Sequence, residues 1–183
     1  MTKNIEIEFK TSIPLEKYQE LLKLFNLENN IFKQTNYYFD TDEFNLNNDK
    51  IVLRIRQKSD NRFKVTLKSQ SEKGAFESHI LLSKSQAEDM IKNGFHTKEF
   101  FEDLDFFVTL KALLDNYRVS TPYKGGTLFL DRCEYCNIVD YEIEFEVCNY
   151  DEGQKLFMQF VDAHQIEILP TKRKSERAFT CKR

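Results

Sequence analysis

Several segments of this 183-residue chain alternate apolar and charged side chains with a period of two. The first, NIEIEFK (4–10), places Glu6, Glu8 and Lys10 on one side of an extended backbone and apolar residues on the other. The pattern predicts a β-strand, which must offer one apolar face and one charged face. Two neighbouring glutamates repel each other, so the charged face either meets water or lies against a cation.

Later segments alternate in the same way, and each carries charges of one sign. KIVLRIRQK (50–58) and RFKVTLKS (62–69) flank a short SDN turn, which predicts an antiparallel hairpin. The polar face of this hairpin is basic and carries Arg54, Arg56, Lys64 and Lys68. Acids return in TLFLDRCEY (127–135), through Asp131, and in DYEIEFEV (140–147). The polar face of that last strand carries Glu142, Glu144 and Glu146.

This segregation of sign by strand separates two interpretations. Antiparallel sheets often keep one face in water, and a plain structural β-domain with solvated charges accounts for any single strand. Solvated faces usually mix signs on neighbouring strands, however, because like charges opposite each other destabilise the pair. Whole strands of one sign favour a sheet that curls into a barrel with a polar interior and helices outside.

Charges inside a barrel need partners of opposite sign. Clustered carboxylates without histidine or cysteine suit a hard, oxygen-ligated ion such as Mg²⁺ or Mn²⁺. Clustered arginine and lysine suit phosphate oxygens, which arginine binds in bidentate fashion. A metal that bridges phosphates and protein favours phosphoryl transfer or hydrolysis.

Apolar residues at helical spacing predict helices between the strands. The predicted helical segments are 11–30, 83–94, about 100–114 and 151–165, with a turn and short helix in the basic tail 171–179. About eight strands without a repeated β-α-β pattern favour an antiparallel sheet. The expected fold is therefore α+β, in a single domain of residues 1–183.

Bulk properties exclude several classes. A net charge of -3 gives no general attraction to nucleic acid or to an anionic membrane, and no apolar stretch reaches transmembrane length. The charged N-terminal strand is not a signal peptide, so a cytoplasmic protein with reduced thiols is expected. Cys133 and Cys136 form a C-x-x-C without the second pair of a zinc site. His79, His96 and His164 are scattered and expected at the surface or in the core.

The motif Glu6-Ile-Glu8-Phe-Lys10 resembles the E-x-E-x-K signature of the CYTH superfamily, the triphosphate tunnel metalloenzymes. NYYFDT, LRIR, VTLK, LFLD, DYEIEFEV and TKRKSER follow in the family's order, so the resemblance covers residues 3–180. The chain looks most similar to bacterial stand-alone members of a superfamily that includes class IV adenylate cyclases, thiamine triphosphatases and inorganic tripolyphosphatases. This resemblance implies an eight-stranded antiparallel β-barrel whose tunnel holds a triphosphate and divalent metal.

The resemblance also implies roles for individual residues. Metal ligands are implied at Glu6, Glu8, Asp131, Glu142 and Glu144. Phosphate binding is implied at Lys10, Arg54, Arg56, Lys64, Lys68, Arg118, Lys172, Lys174 and Arg177. Lys10 and Glu8 are implied in catalysis, and Glu77 and Glu146 are additional candidate acids. Glu144 with Glu146 stays open as the metal-binding pair of the late strand, as does the choice of inward-facing bases in the tail.

Metal-assisted hydrolysis is the expected reaction, with two Mg²⁺ or Mn²⁺ ions, one neutralising the phosphate chain and one orienting a water for in-line attack. Inorganic tripolyphosphate is the simplest substrate, and thiamine triphosphate or a nucleoside triphosphate are alternatives. A class IV-type cyclase would make cyclic AMP from ATP but needs a base-and-ribose pocket that the sequence does not reveal. A non-catalytic polyphosphate- or nucleotide-binding module would bind anions better without the acids.

The expected partner is a small molecule that contains a triphosphate group. Neither a membrane nor a specific nucleic acid is expected, and a homodimer is compatible with these features.

Overall fold

Nine β-strands form one antiparallel sheet in the computed structural model, which describes residues 2–181. The strands are β1 (Thr2–Ile13), β2 (Phe32–Asp40), β3 (Ile51–Lys58), β4 (Phe63–Ser71), β5 (Gly74–Leu82), β6 (Phe95–His96), β7 (Phe107–Tyr123), β8 (Gly126–Tyr135) and β9 (Ile138–Val147). Eight of them follow the order β2-β3-β4-β5-β1-β9-β8-β7, and β7 pairs back onto β2. The predicted eight-stranded antiparallel barrel is thus confirmed, and β6 is an extra strand on β7.

Helices cover the outer, apolar face of this barrel. They are α1 (Leu15–Leu24), α2 (Asn45–Asn48), α3 (Lys84–Asn93), α4 (Tyr150–Ala163) and α5 (Lys174–Phe179), with one 3-10 turn at Thr97–Glu99. Leu130 of β8 is buried in the core that contains α1 and α4, and Leu53 of β3 is buried in the core that contains α3. No helix in the described part of the chain is both long and apolar enough to span a membrane.

The short helix α5 is different, because it packs on residues that point into the barrel. Ala178 joins the inward-facing Tyr38 and Leu114 in a small buried cluster. The ring of Phe179 lies 6.0 Å from that of Tyr38 and 5.3 Å from that of Phe44. The predicted turn and short helix in the basic tail is confirmed, and its apolar residues hold it against the barrel.

The helix predicted over about 100–114 is wrong. The long strand β7 begins at Phe107, and burial alternates along its middle: Ala112 and Leu114 are buried, whereas Leu113 is 39% exposed. Pairing with β2 determines this structure. An apolar run looks similar in a helix and in a strand, and the pairing partner lies far away in the sequence.

Two of the four cysteines also depart from expectation. Cys136, between β8 and β9, forms a disulfide with Cys181, and their Cα atoms lie 5.5 Å apart, as is usual for such a bond. The expectation of reduced thiols is therefore wrong for this pair. Cys133 is buried and Cys148 exposed, and both are free thiols. The disulfide attaches the segment after α5 to the β8–β9 turn.

Candidate functional site

The barrel encloses a charged cavity of about 380 Å³. Strand alternation directs every second side chain inward, so the polar faces recognised in the sequence become the walls. The predicted site residues that line the cavity are Glu6, Glu8, Lys10, Arg54, Arg56, Lys64, Lys68, Glu77, Arg118, Glu144, Glu146 and Lys174.

One side of the cavity is the basic wall formed by Arg54, Arg56, Lys64 and Lys68. The antiparallel register of β3 and β4 places Arg56 directly opposite Lys64. Glu77 of β5 is the nearby acid, 3.6 Å from Arg54 Nη2 and 3.8 Å from Lys64 Nζ. One carboxylate therefore faces two cations, and the wall keeps an excess of positive charge.

The electrostatics of the basic wall reflect this excess. Burial, followed by the charges of Arg54 and Arg118, lowers the pKa of Arg56 to about 9. Burial and the neighbouring guanidinium groups lower the pKa of Lys64 to about 8. Arg54 Nε is buried and has no hydrogen-bond partner among the described residues. Buried donors in a native protein normally have a partner, and an anion in the cavity would supply one.

Three further lining residues, Glu6, Glu8 and Glu146, form a group of carboxylates that we call the outer cluster. Their carboxylate oxygens lie within 4.8 Å of one another, and β1–β9 pairing sets Glu8 directly opposite Glu146. Lys68 Nζ lies 2.5 Å from Glu6 and 3.3 Å from Glu8, and Lys10 Nζ donates to Glu8 at 3.2 Å. In the described chain, no lysine or arginine nitrogen lies within 4.0 Å of a Glu146 carboxylate oxygen, as the ion pairs fall on Glu6 and Glu8 instead.

Glu146 shows how strongly the outer cluster lacks positive charge. Burial and the adjacent charge of Glu6 raise the pKa of Glu146 to about 7. A divalent cation would relieve this repulsion, because three close oxygen ligands without histidine or cysteine match the preference of hard ions. The outer cluster therefore fits a divalent metal ion.

The inner cluster consists of Asp131, Glu142 and Glu144, whose carboxylate oxygens also lie within 4.8 Å of one another. All three residues are buried. Antiparallel pairing of β8 and β9 sets Asp131 opposite Glu142. Only Glu144 reaches the cavity lining, and the other two lie behind it.

Three cations fill the space around the inner cluster. Arg118 donates to Asp131 through Nε at 2.7 Å and Nη2 at 2.6 Å, and it also contacts Glu144. Lys174 Nζ lies 2.8 Å from Asp131 and 2.7 Å from Glu144, and it contacts Glu142. Arg177 supplies the third cation through its contact with Glu142. Each carboxylate of the inner cluster thus contacts two of these cations, and Arg177 is shared with Asp140.

The pKa values of the inner cluster follow from these contacts. Burial alone would raise them, but Lys174 and Arg118 hold the pKa of Glu144 well below its ordinary value. Arg118 and Lys174 likewise outweigh burial and lower the pKa of Asp131. Burial dominates at Glu142 and raises its pKa to about 7. The inner cluster therefore holds two firmly ionised acids beside one that binds a proton readily.

The C-terminal bases separate into different environments. Lys174 lines the cavity, whereas Arg177 lies behind it, bonded to Glu142 and, at 2.5 Å, to Asp140. Lys172 is exposed and does not line the cavity. The structure thus brings Lys174 to the site, leaves Arg177 beside the inner cluster and leaves Lys172 outside.

Several lining residues were missed by sequence reasoning. Lys58, Gln70, His79 and Phe129 each stand two residues from a predicted site residue on the same strand, so parity alone could have identified them. The expectation of a surface or core position is wrong for His79, whose Nδ1 lies 4.0 Å from Glu77 in the cavity wall. The other missed lining residues, such as Tyr38 and Ser175, carried no charge signal. They are Phe32, Gln34, Tyr38, Val52 and Ser175, whereas Arg173, one of the tail bases whose orientation the sequence left open, also lines the cavity.

A family model and the similar proteins that were found agree on one family for this chain. The CYTH domain model matches residues 4–179. A protein of Bacillus subtilis (strain 168) named "Putative triphosphatase YjbK" is 32% identical over 191 residues, which cover 100% of this chain and 98% of that protein. The crystal structure of the Bacillus halodurans protein named "putative adenylate cyclase (bh2851)" has a TM-score of 0.89 at 32% identity, covering 98% of this chain and 100% of that one.

A more distant structure extends the likeness of the fold. HpAC1 from Hippeastrum has a TM-score of 0.76 at 22% identity, covering 96% of this chain and 95% of that one. At that identity the likeness concerns the fold alone. The family match over nearly the whole chain, together with the close sequence relative, shows that the chain belongs to the CYTH domain family.

Proposed function

We propose that this protein is a divalent-metal-dependent triphosphatase that hydrolyses a phosphoanhydride bond of a triphosphate-containing substrate. The observation that carries the proposal is that the basic wall and the outer cluster line the same cavity. The basic wall needs a polyanion, and the outer cluster needs a divalent cation. A triphosphate with a bound metal ion supplies both charges in one ligand. The relationship to a protein named as a triphosphatase supports the same activity.

Phosphate oxygens would be bound by the basic wall. Arg54 and Arg56 offer planar guanidinium groups suited to two parallel hydrogen bonds, and Lys64 and Lys68 add point charges. The unpaired Nε of Arg54 and the lowered pKa of Lys64 both favour an incoming anion. An anion would raise that pKa again and keep the lysine charged.

The outer cluster would hold Mg²⁺ or Mn²⁺, which neutralises the phosphate chain and polarises its oxygens when bound. Glu8 and Glu6 orient their carboxylates from one strand, and Glu146 approaches from the neighbouring strand. Lys10 extends from the same face and donates to Glu8 at 3.2 Å. We assign Lys10 to the reacting phosphoryl group, whose developing charge its ammonium group would stabilise. The second ion implied by the family would need the inner cluster, which Lys174 already contacts.

Inorganic tripolyphosphate is the substrate that we favour, because it consists only of the charged groups that the cavity is built to bind. Thiamine triphosphate and nucleoside triphosphates carry an organic group in addition. Phe32, Tyr38 and Phe129 are the phenylalanine and tyrosine residues of the cavity lining, and they lie on two strands, β2 and β8.

A cyclase is the second candidate, because a close structural relative is named as an adenylate cyclase. The same cavity would bind ATP, and the ribose 3′-hydroxyl would replace water as the nucleophile. A pure anion-binding module is disfavoured by the outer cluster, because three carboxylates weaken anion binding unless a cation accompanies them.

A panel of substrates tests the proposal. Purified protein is supplied with tripolyphosphate, thiamine triphosphate, ATP or GTP in Mg²⁺ or Mn²⁺, and the products are identified. We expect orthophosphate with either metal and none in EDTA. Cyclic AMP as the main product from ATP would show that the protein is a cyclase and not a hydrolase. No turnover of any substrate would contradict both candidate activities.

A matched pair of arginine variants tests the basic wall. Arg56→Met should lower kcat/KM by at least about 10-fold, because a charged hydrogen bond to phosphate contributes about 1.5–3 kcal/mol. Arg62→Met removes a largely exposed guanidinium at the end of the same hairpin, which is bonded to Asp60. This control should leave kcat/KM unchanged. Equal losses in the two variants would contradict the assignment of the wall.

A further inference from the structure

We infer that the ammonium group of Lys174 fills the inner cluster in place of a metal ion, so the protein holds one divalent ion while α5 is docked. This inference rests on the proposed function only for the ion at the outer cluster. It assigns to Lys174 a role different from phosphate binding: that of an internal counter-cation which keeps a latent metal site closed.

The position of Lys174 Nζ excludes simultaneous metal binding. The nitrogen lies 2.8 Å from Asp131 and 2.7 Å from Glu144, and it contacts Glu142. A bound Mg²⁺ requires oxygen ligands at roughly 2.0–2.1 Å, so it would take the same central position between the three carboxylates. The ammonium group and the ion therefore compete for one place.

Charge balance leads to the same conclusion. Arg118, Lys174 and Arg177 offset the three carboxylates of the inner cluster. A divalent ion added to these buried pairs would meet carboxylates that already contact cations, so little attraction would offset the cost of its desolvation. The outer cluster differs, because its lysines contact only Glu6 and Glu8, and among the described residues no lysine or arginine nitrogen lies within 4.0 Å of a Glu146 carboxylate oxygen.

The tail delivers Lys174 through contacts on both sides. Before the helix, Arg173 Nη2 bonds Asn47 of α2 at 3.3 Å. Within and after the helix, Ala178 packs in the barrel and Cys181 is bonded to Cys136. Lys174 is thus held over the inner cluster by α5, and a second ion requires α5 to move.

Counting bound Mn²⁺ without substrate tests the inference independently of activity. The protein is titrated with Mn²⁺, and free ion is measured by electron paramagnetic resonance. We expect one ion per chain in the unsubstituted protein and one more in Lys174→Gln than in the unsubstituted protein. Lys172→Gln, two residues earlier in the same tail and exposed, is the matched control and should not gain an ion.

A second pair of variants decides the question if Lys174→Gln does not fold. Glu142→Gln alters the inner cluster and should leave the ion count unchanged, whereas Glu146→Gln alters the outer cluster and should lose the ion. Two ions in the unsubstituted protein, a lost ion in Glu142→Gln, or no gain in folded Lys174→Gln would each overturn the inference. A gain in Lys174→Gln supports it even if no triphosphate is hydrolysed, so the two proposals fail separately.

Discussion

The outer and inner clusters have nearly the same composition and different electrostatic states. Each combines three carboxylates on neighbouring antiparallel strands, with oxygens within 4.8 Å of one another. The outer cluster retains a repelled carboxylate at Glu146, whereas the inner cluster is compensated by three cations. The type and spacing of the ligands are therefore not sufficient to define a metal site. The cations that other segments bring to the carboxylates decide whether an ion is needed.

The largest effect should follow from removing the internal cation. Lys174→Gln in EDTA should lower the free energy of unfolding by about 3–5 kcal/mol, because it leaves buried acids unpaired. Urea unfolding of this variant and of Lys172→Gln would measure the difference. A loss below about 0.5 kcal/mol, within the usual range of surface substitutions, would mean that Lys174 is not the counter-charge of the inner cluster.

The next largest effect should be on activity, which should depend strongly on the outer cluster and weakly on the inner cluster. Glu8→Gln should lower phosphate release by about 10²–10³-fold, since it removes a carboxylate from the outer cluster and the partner of Lys10. Glu142→Gln should cost no more than about 10-fold, because it acts only through the inner cluster. Initial rates with tripolyphosphate would compare them, with the exposed Glu88→Gln as control. Equal losses of activity in Glu8→Gln and Glu142→Gln would contradict the different roles of the outer and inner clusters.

Stabilisation by metal should distinguish the same regions without turnover. Mn²⁺ at about 100 times its Kd should raise the free energy of unfolding by about 2.7 kcal/mol. Glu146→Gln should lose most of this gain and Glu142→Gln should keep it. Thermal melts with and without Mn²⁺ would measure both, and a gain that survives in Glu146→Gln would place the ion elsewhere.

The smallest effect concerns pH. The raised pKa of Glu146, from 4.5 to about 7, means that the metal-free folded state binds more protons than the unfolded state between these values. Stability should therefore fall as pH rises through this window, by about 1 kcal/mol from this group after allowance for partial solvent screening. Glu146→Gln should flatten the slope, and added Mn²⁺ should do the same. An unchanged slope in Glu146→Gln would assign the effect to another group, such as Glu142.

Much of the barrel could be predicted because its information is local. The period-two alternation in β1, β3, β4 and β9 shows which side chains share a face. The separation of acidic from basic residues by strand indicates that these faces point into the barrel. The strand β7 could not be distinguished from a helix, because its partner β2 lies far away in the chain. The disulfide between Cys136 and Cys181 depends in the same way on distant parts of the chain.

The sequence predicts which residues belong to the site better than it predicts how they are grouped. Parity places Glu142, Glu144 and Glu146 on one face, but it does not show that Glu146 joins Glu6 while the other two join Asp131. That division depends on the register between β1, β8 and β9. Likewise, the tail offers several bases within a few residues, and the docking of α5 brings Lys174 and Arg177 to the inner cluster while Lys172 stays exposed.

The late position of Lys174 in the chain has a consequence for biosynthesis. The strands that carry Asp131, Glu142 and Glu144 leave the ribosome before the residue that neutralises them. Until Lys174 emerges, closing the barrel would trap unpaired carboxylates, so closure and docking of the tail should occur together. The first strand must also wait, since it pairs with β9 across more than half of the chain. We therefore expect this protein to complete its fold late in synthesis and to acquire its interior charges in a single cooperative step.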